Sequence, residues 1–271
     1  MANKKRLDTA VVELGYAETR SKASALIMAG DIYVNDQKET KSGYTVKEKD
    51  IIEFRGKKMP FVSRGGYKLQ KAMKTFPIDL NNCICMDIGA STGGFTDCML
   101  QSGAKKVYSI DVGYGQLAWK LRTDARVINL ERTNFRYLTD EIVTDKIDFA
   151  SIDVSFISLK IILPVLYNFL KENGQCVALI KPQFEAGKDK VGKKGVVRDI
   201  DVHKEVVKSI AEFAFQNNFS LLGLDFSPIK GPEGNIEYLI YLSKDNKHIN
   251  NISCDKIDEI VEKSHNELSG E

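Results

Sequence analysis

From residue 81 onward the chain alternates short apolar runs with stretches of helical spacing. The apolar runs at 83–88, 106–111, 126–130, 148–153, 175–181, 219–226 and 236–242 predict strands. The periodic stretches near 94–102, 116–122, 157–170 and 202–217 predict helices. This alternation implies an α/β fold: a Rossmann-like, mostly parallel sheet with helices on both faces. The run Cys176-Val177-Ala178-Leu179-Ile180 is apolar throughout, so its strand must be covered on both sides. A different pattern precedes this. Leu7, Ala10, Val11 and Leu14 recur at helical spacing before Gly15, and Thr19-Arg20-Ser21-Lys22 opens a second helix that places Ala23, Leu26 and Ile27 on one face before Gly30. Short strands are expected at Ile32-Tyr33-Val34, Tyr44-Thr45-Val46 and Ile51-Ile52-Glu53-Phe54, with a turn at Asn35-Asp36. The expected division is a small α+β module at 1–55, a linker at 56–61 (Gly56-Lys57-Lys58-Met59-Pro60 and Phe61), a large α/β domain at 62–243 and a polar tail at 244–271. A short helix is expected in the tail around Ile257, Ile260 and Val261.

The run at 83–88 meets Asp87 and breaks into Gly89-Ala90-Ser91-Thr92-Gly93-Gly94-Phe95-Thr96 before a helix. Glycines there let the backbone approach a ligand, and a helix N-terminus offers unpaired N–H groups. About twenty residues later a second run ends on Asp111, where an acid can accept from ribose hydroxyls. The spacing Gly-x-x-x-Gly-Gly is neither a dinucleotide fingerprint nor a P-loop, and no Lys or Arg grips a phosphate within it. An acid opening the loop suits a cationic or zwitterionic nucleoside such as S-adenosylmethionine. The turn alone is equally compatible with an ordinary strand-to-helix connection; Asp111 and the strand-end residues downstream favour the nucleoside. Those residues are Asp153, at the end of Ile147-Asp148-Phe149-Ala150-Ser151-Ile152, and Lys181, at the end of a wholly apolar run and followed by Pro182. A lysine at such a mouth is either reactive or one end of a structural ion pair. Glu237, inside Ile236-Glu237-Tyr238-Leu239-Ile240, reads as an acid facing a cleft.

Composition narrows the reading. The chain has 271 residues, is 43% hydrophobic and has a net charge of +2. Residues 1–79 hold 16 Lys/Arg against 10 Asp/Glu, a net +6, so the rest carries −4; a basic front end suggests a polyanionic partner. No apolar run is long enough to span a bilayer, and the first residues lack a signal core. Five cysteines without metal-ligand spacing and three scattered histidines point to a reduced, cytoplasmic protein without a metal site or a histidine triad. Lys188, Lys190, Lys193, Lys194 and Arg198 make 183–199 a basic, glycine-containing loop, either an RNA clamp or a solvated surface.

Arg6-Leu7-Asp8, Thr19-Arg20-Ser21-Lys22-Ala23, Leu26-Ile27, Gly30, Val34-Asn35 and Asp50-Ile51-Ile52 resemble the S4-like RNA-binding domain over roughly 4–55. The resemblance makes Arg6, Arg20 and Lys22 candidates for RNA phosphates. Residues 61–242 resemble the FtsJ-like ribose methyltransferases, and the whole chain resembles the TlyA family of rRNA 2′-O-methyltransferases, also named haemolysin A. The carrying stretches are Ser63-Arg64-Gly65-Gly66-Tyr67-Lys68-Leu69, the glycine turn, Asp111-Val112-Gly113-Tyr114-Gly115-Gln116, Leu130-Glu131-Arg132-Thr133-Asn134, Ser155-Phe156-Ile157-Ser158-Leu159, Lys181-Pro182-Gln183-Phe184-Glu185 and Gly231-Pro232-Glu233-Gly234-Asn235-Ile236-Glu237-Tyr238. In the linker, where some relatives carry a basic residue followed by a tryptophan, this chain has Met59-Pro60-Phe61-Val62.

The resemblance implies a catalytic set of Lys68, Asp153, Lys181 and Glu237. It implies an S-adenosylmethionine site at Asp87, Gly89, Ala90, Ser91, Gly93, Gly94, Phe95, Thr96, Asp111, Val112 and Asn134, with Asp111 on the ribose and Asn134 on the adenine. Arg64 and, in the basic loop read as clamp or solvated surface, Lys188, Lys193 and Lys194 are further candidates for RNA contact. The expected activity is methylation of a ribose hydroxyl, on a cytidine of ribosomal RNA within ribosomal subunits, with Lys181 either a base or an orienting cation. The competing expectations are a membrane-active haemolysin and a non-catalytic RNA-binding assembly factor.

Overall fold

The computed structural model describes residues 4–17, 19–56 and 59–268. Lys57 and Lys58, at the centre of the expected linker, lie outside the described residues. The chain divides into two compact units, Met1–Pro60 and Phe61–Glu271.

The first unit contains β1 (Lys5–Arg6), α1 (Leu7–Glu13), α2 (Arg20–Met28), β2 (Ile32–Val34), β3 (Gln37–Lys38), β4 (Thr45–Val46) and β5 (Ile52–Phe54). Thr19 caps α2 by accepting from the Lys22 N–H at 3.3 Å. Asn35 and Asp36 both take positive φ, 49° and 64°, as a two-residue hairpin between β2 and β3 requires. Leu7, Ala10, Val11, Ala23, Ile27, Ile32, Val34 and Val46 form the core. Leu14, expected on the buried face of α1, is exposed because the helix ends at Glu13 and Leu14 serves as its C-cap.

The second unit contains α3 (Gly65–Thr75), β6 (Ile84–Ile88), α4 (Gly94–Gln101), β7 (Lys106–Ile110), α5 (Trp119–Arg122), β8 (Val127–Leu130), β9 (Ile147–Ile152), α6 (Leu159–Phe169), β10 (Leu170–Ile180), α7 (Pro182–Glu185), α8 (Ile200–Gln216), β11 (Ser220–Phe226), β12 (Tyr238–Ser243) and α9 (Cys254–Leu268). Its seven-stranded sheet has the order β11-β12-β10-β9-β6-β7-β8. Strands β6 to β10 pair in parallel; β12 runs antiparallel to both neighbours, β10 and β11. The chain steps from β6 to β7 and β8 on one side, then returns to β9 and β10 on the other. Strand order therefore reverses between β6 and β9, where an open α/β sheet leaves a crevice at its carboxyl edge.

Both faces are covered, as the apolar strands require. Cys176, Ala178 and Ile180 of β10 join a core with Leu163, Leu166, Val207, Ile210 and Val261. Val177 and Leu179 point the other way, into a core with Leu69, Phe95, Met99 and Tyr241. Phe61, assigned to the linker from the sequence, is 5% exposed in that second core and meets Tyr67 edge-on, with ring centroids 5.7 Å apart. The tail helix is longer than expected, fifteen residues, because Ile257, Ile260, Val261, Ser264 and Leu268 make one buried stripe on a helix polar elsewhere.

Candidate active site

The crevice at the strand reversal is a cleft of about 560 Å³. Ser63, Arg64, Gly65 and Lys68 line it from the start of α3, the glycine turn from β6, Asp153 and Ser155 from the end of β9, Lys181 from the end of β10, and Ile229, Lys230 and Gly231 from the loop before β12. Sequence-distant residues meet here because parallel strands deliver their ends to one edge.

At the back of the cleft the four charged side chains converge. Lys68 donates to Glu237 Oε2 at 2.6 Å and to Asp153 Oδ2 at 3.2 Å. Lys181 Nζ lies 2.5 Å from Asp153 Oδ1 and donates to Ser155 Oγ at 3.2 Å. Two lysines and two acids, whose formal charges cancel, thus form a chain, Lys181–Asp153–Lys68–Glu237. Glu237 is fully buried, and Lys68 and Lys181 are 7% and 6% exposed. Burial opposes the charge on Lys68, but Asp153 and Glu237 outweigh it and hold the ammonium above the ordinary lysine value. Burial pushes against Asp153 as well, yet Lys68 and Lys181 hold it below the usual carboxylate range. At Glu237 burial prevails and raises the carboxyl. Its Oε1 has no hydrogen-bond partner among the described residues and faces Gly231, where any Cβ would collide with it.

The glycine turn is built from beneath. Asp87 accepts from Thr96 N at 2.9 Å, Thr96 Oγ1 at 2.7 Å and Ser151 Oγ at 3.1 Å. Oδ2 thus fixes the first turn of α4 while Oδ1 ties β6 to Ser151 of β9, and burial raises the carboxyl to about 6 despite those donors. Gly89 has φ +85°, and a Cβ there would lie 2.5 Å from the Asp153 carbonyl oxygen. Asp111 accepts from Ser91 N and Gly113 N, each at 2.7 Å, and so ties the turn to the end of β7. A carboxylate offers about four acceptor positions, so capacity remains for a hydroxyl. Gly89, Ala90, Ser91, Gly94 and Phe95 line the cleft. Gly93, at φ +95°, and Thr96 support the turn from within. Val112 and Asn134 line a neighbouring recess of about 440 Å³ that shares Ser155 with the cleft. Asn134 accepts from Arg136 N at 3.2 Å through Oδ1.

The candidate RNA-contacting residues fall into three groups. Asp8, buried in the first unit, accepts from Arg6 at 2.7 Å and Arg20 at 3.0 Å and holds the two exposed guanidinium groups side by side. Lys22 is exposed on α2. In the second unit, Arg64 stands at the N-cap of α3 on the cleft. Lys188, Lys193 and Lys194 are exposed on the basic loop and do not join the four-residue cluster. Sequence reading gave no role to Ser155, although it stands two residues beyond a strand-end acid and within a stretch that carries the family resemblance. It also overlooked Glu185, which accepts from Ser158 Oγ at 2.6 Å and Leu159 N at 2.7 Å and pins the loop carrying Ser155. Among the described residues no cluster of His, Cys, Asp or Glu is placed to hold a metal, and no helix is long and apolar enough to cross a membrane.

An open sheet with a glycine turn at its reversal point, opposite a buried lysine–acid chain, defines a Rossmann-like group-transfer enzyme. The chain belongs to the FtsJ-like methyltransferase family, whose model matches residues 61–244, and it carries an S4 domain at residues 5–52. It is 41% identical over 89% of its length to the 16S/23S rRNA (cytidine-2′-O)-methyltransferase TlyA of Mycobacterium tuberculosis, covering 91% of that protein. It is 44% identical over 87% of its length to Hemolysin A of Brachyspira hyodysenteriae, covering 98% of that protein. A solved structure from Streptococcus thermophilus, also described as a hemolysin, matches with a TM-score of 0.78 and 45% identity over 98% of both chains.

Proposed function

We propose that this chain transfers the methyl group of S-adenosylmethionine to the 2′-hydroxyl of a cytidine ribose in ribosomal RNA. The observation that carries the reading is the buried Lys181–Asp153–Lys68–Glu237 chain ending beside the glycine turn. The names of the TlyA relatives, rRNA (cytidine-2′-O)-methyltransferases, supply the acceptor and the nucleoside.

The residues present fit the donor. Gly89 packs against the Asp153 carbonyl too closely for a Cβ, and Gly89, Ala90, Ser91 and Gly94 line the cleft, where a ligand can meet the turn. Asp111 retains acceptor capacity for a ribose, and Asn134 presents an amide at the neighbouring recess for an adenine edge. S-adenosylmethionine, when bound, supplies an electrophilic sulfonium methyl. The chain's own residues then act on the acceptor. Asp153 and Ser155 take up two of the three donors of the Lys181 ammonium, leaving the third for a ribose oxygen. That bond turns an oxygen lone pair toward the methyl, and alignment of this kind can supply several kcal/mol of a barrier. Lys68 and Glu237 fix Asp153, and through it Lys181. With Lys181 an ammonium that has no lone pair, the proton lost from the hydroxyl passes to water as the O–CH3 bond forms and the sulfonium C–S bond breaks.

Purified chain, tritiated S-adenosylmethionine and ribosomal subunits lacking the modification test the reading. Label in rRNA supports it. No transfer, or label in protein alone, overturns it; lysis of red cells by detergent-free protein with no transfer would favour the haemolysin name instead.

A further inference from the structure

The basic loop between α7 and α8 ends at a root bound by two buried polar side chains. Asn235, 4% exposed, accepts from Val197 N at 3.2 Å and donates to Gly195 O at 3.0 Å. His203 on α8, 1% exposed, places Nε2 at 2.9 Å from Val197 O. A carbonyl only accepts, so Nε2 carries the proton, and Nδ1, 2.7 Å from the Tyr238 hydroxyl, accepts from the phenol. Burial keeps this imidazole neutral by lowering it to about 4. Val197 is thus held through both of its backbone groups.

Each end of the clamp is placed with purpose. Lys193 and Lys194 lie immediately before Gly195, and Lys194 has φ +66°, a conformation lysine rarely adopts unless its surroundings impose it. Asn235 and Tyr238 flank Glu237, the buried end of the charged chain. Burying two polar side chains costs free energy that an apolar pair would not; here the return is bonds to loop backbone.

We propose that His203 and Asn235 are positioning residues that latch the lysine-bearing loop to the segment carrying Glu237, so that Lys193 and Lys194 are preset for the phosphates of the RNA substrate. This rests on the rRNA reading above. His203→Phe removes both bonds, and His203→Gln restores an N–H donor. In the full-length protein, His203→Phe raises tryptic nicking at Lys188, Lys190, Lys193 and Lys194 and raises KM for ribosomal subunits about fivefold, the effect of one lost hydrogen bond to backbone. Its kcat and its KM for S-adenosylmethionine stay near wild type, and His203→Gln recovers most of the loss. Asn235→Leu gives the same pattern and serves if His203→Phe does not fold. Unchanged nicking and KM in the folded variant, or equal impairment of the Phe and Gln variants, overturns the latch. If instead Lys193→Ala/Lys194→Ala leaves KM for subunits unaltered while His203→Phe still exposes the loop, the RNA role of the loop has failed and the latch has not.

Discussion

Glu237→Leu is the most informative single change to the buried cluster. The wild-type chain of charges, Lys181, Asp153, Lys68 and Glu237, is balanced two against two; removing Glu237 leaves an excess ammonium on Lys68, 7% exposed, with only Asp153 at 3.2 Å. Breaking a buried ion pair on one side costs about 3–5 kcal/mol. Asp153 remains as a shared partner, so the expected loss is about 2–4 kcal/mol, or roughly 4–16 °C in Tm for a unit of this size. Lys68→Met/Glu237→Leu restores the balance, leaving only Lys181 with Asp153, and should recover most of that stability because apolar replacement of both partners is often neutral. Urea unfolding of the four species at pH 7.5 gives the double-mutant cycle. A single variant within about 0.5 kcal/mol of wild type, or a double variant no more stable than the single, would refute this account of the cluster.

Lys181→Ala should abolish methyl transfer while calorimetry shows S-adenosylmethionine binding unchanged within a few-fold; retained turnover would remove Lys181 from the reaction. Gly89→Ala combines a positive φ with a clash against the Asp153 carbonyl and should weaken S-adenosylmethionine binding about tenfold or more, read by the same titration. Asp87 titrates near 6 when folded against 3.8 as its ordinary value, so the folded state binds the extra proton between these pH values. Its contribution to stability therefore falls as pH rises from about 4 to 6, by up to ~3 kcal/mol, and Asp87→Asn should flatten that part of the profile in denaturant melts. Lys193→Ala/Lys194→Ala should lower the slope of log affinity for subunits against log salt by about one to two, as measured by filter binding.

Much of this architecture was legible because each strand of the second unit is a compact apolar run ended by a polar residue, and the parallel alternation predicts that those ends meet. What lay beyond the sequence is informative. β10 begins at Leu170 rather than 175, because the irregular stretch between Leu170 and Gln175 still pairs at its first residue with Ile147 of β9. The expected helix at 116–122 is only Trp119–Arg122, since Gly113 to Ala118 serve the turn tied to Asp111. Asp153, Lys181 and Glu237 stand out in the sequence as polar residues at the ends of apolar strands, whereas Lys68 and the grouping of the four came from family resemblance. Their order along one chain of contacts depends on side chains from α3, β9, β10 and the start of β12, a relation no spacing encodes. The clamp of Val197 by His203 and Asn235 was equally hidden, because a buried histidine bonded to backbone looks in sequence like any other residue on a helix face.

The most direct measurement is a ribose-methylation map of ribosomal RNA treated with wild-type chain or Lys181→Ala, read by resistance of the sugar–phosphate bond to alkali. The account predicts a new alkali-resistant position at a cytidine with wild-type protein and none with the variant. Methyl label that appears on a base while every linkage stays alkali-labile would contradict it.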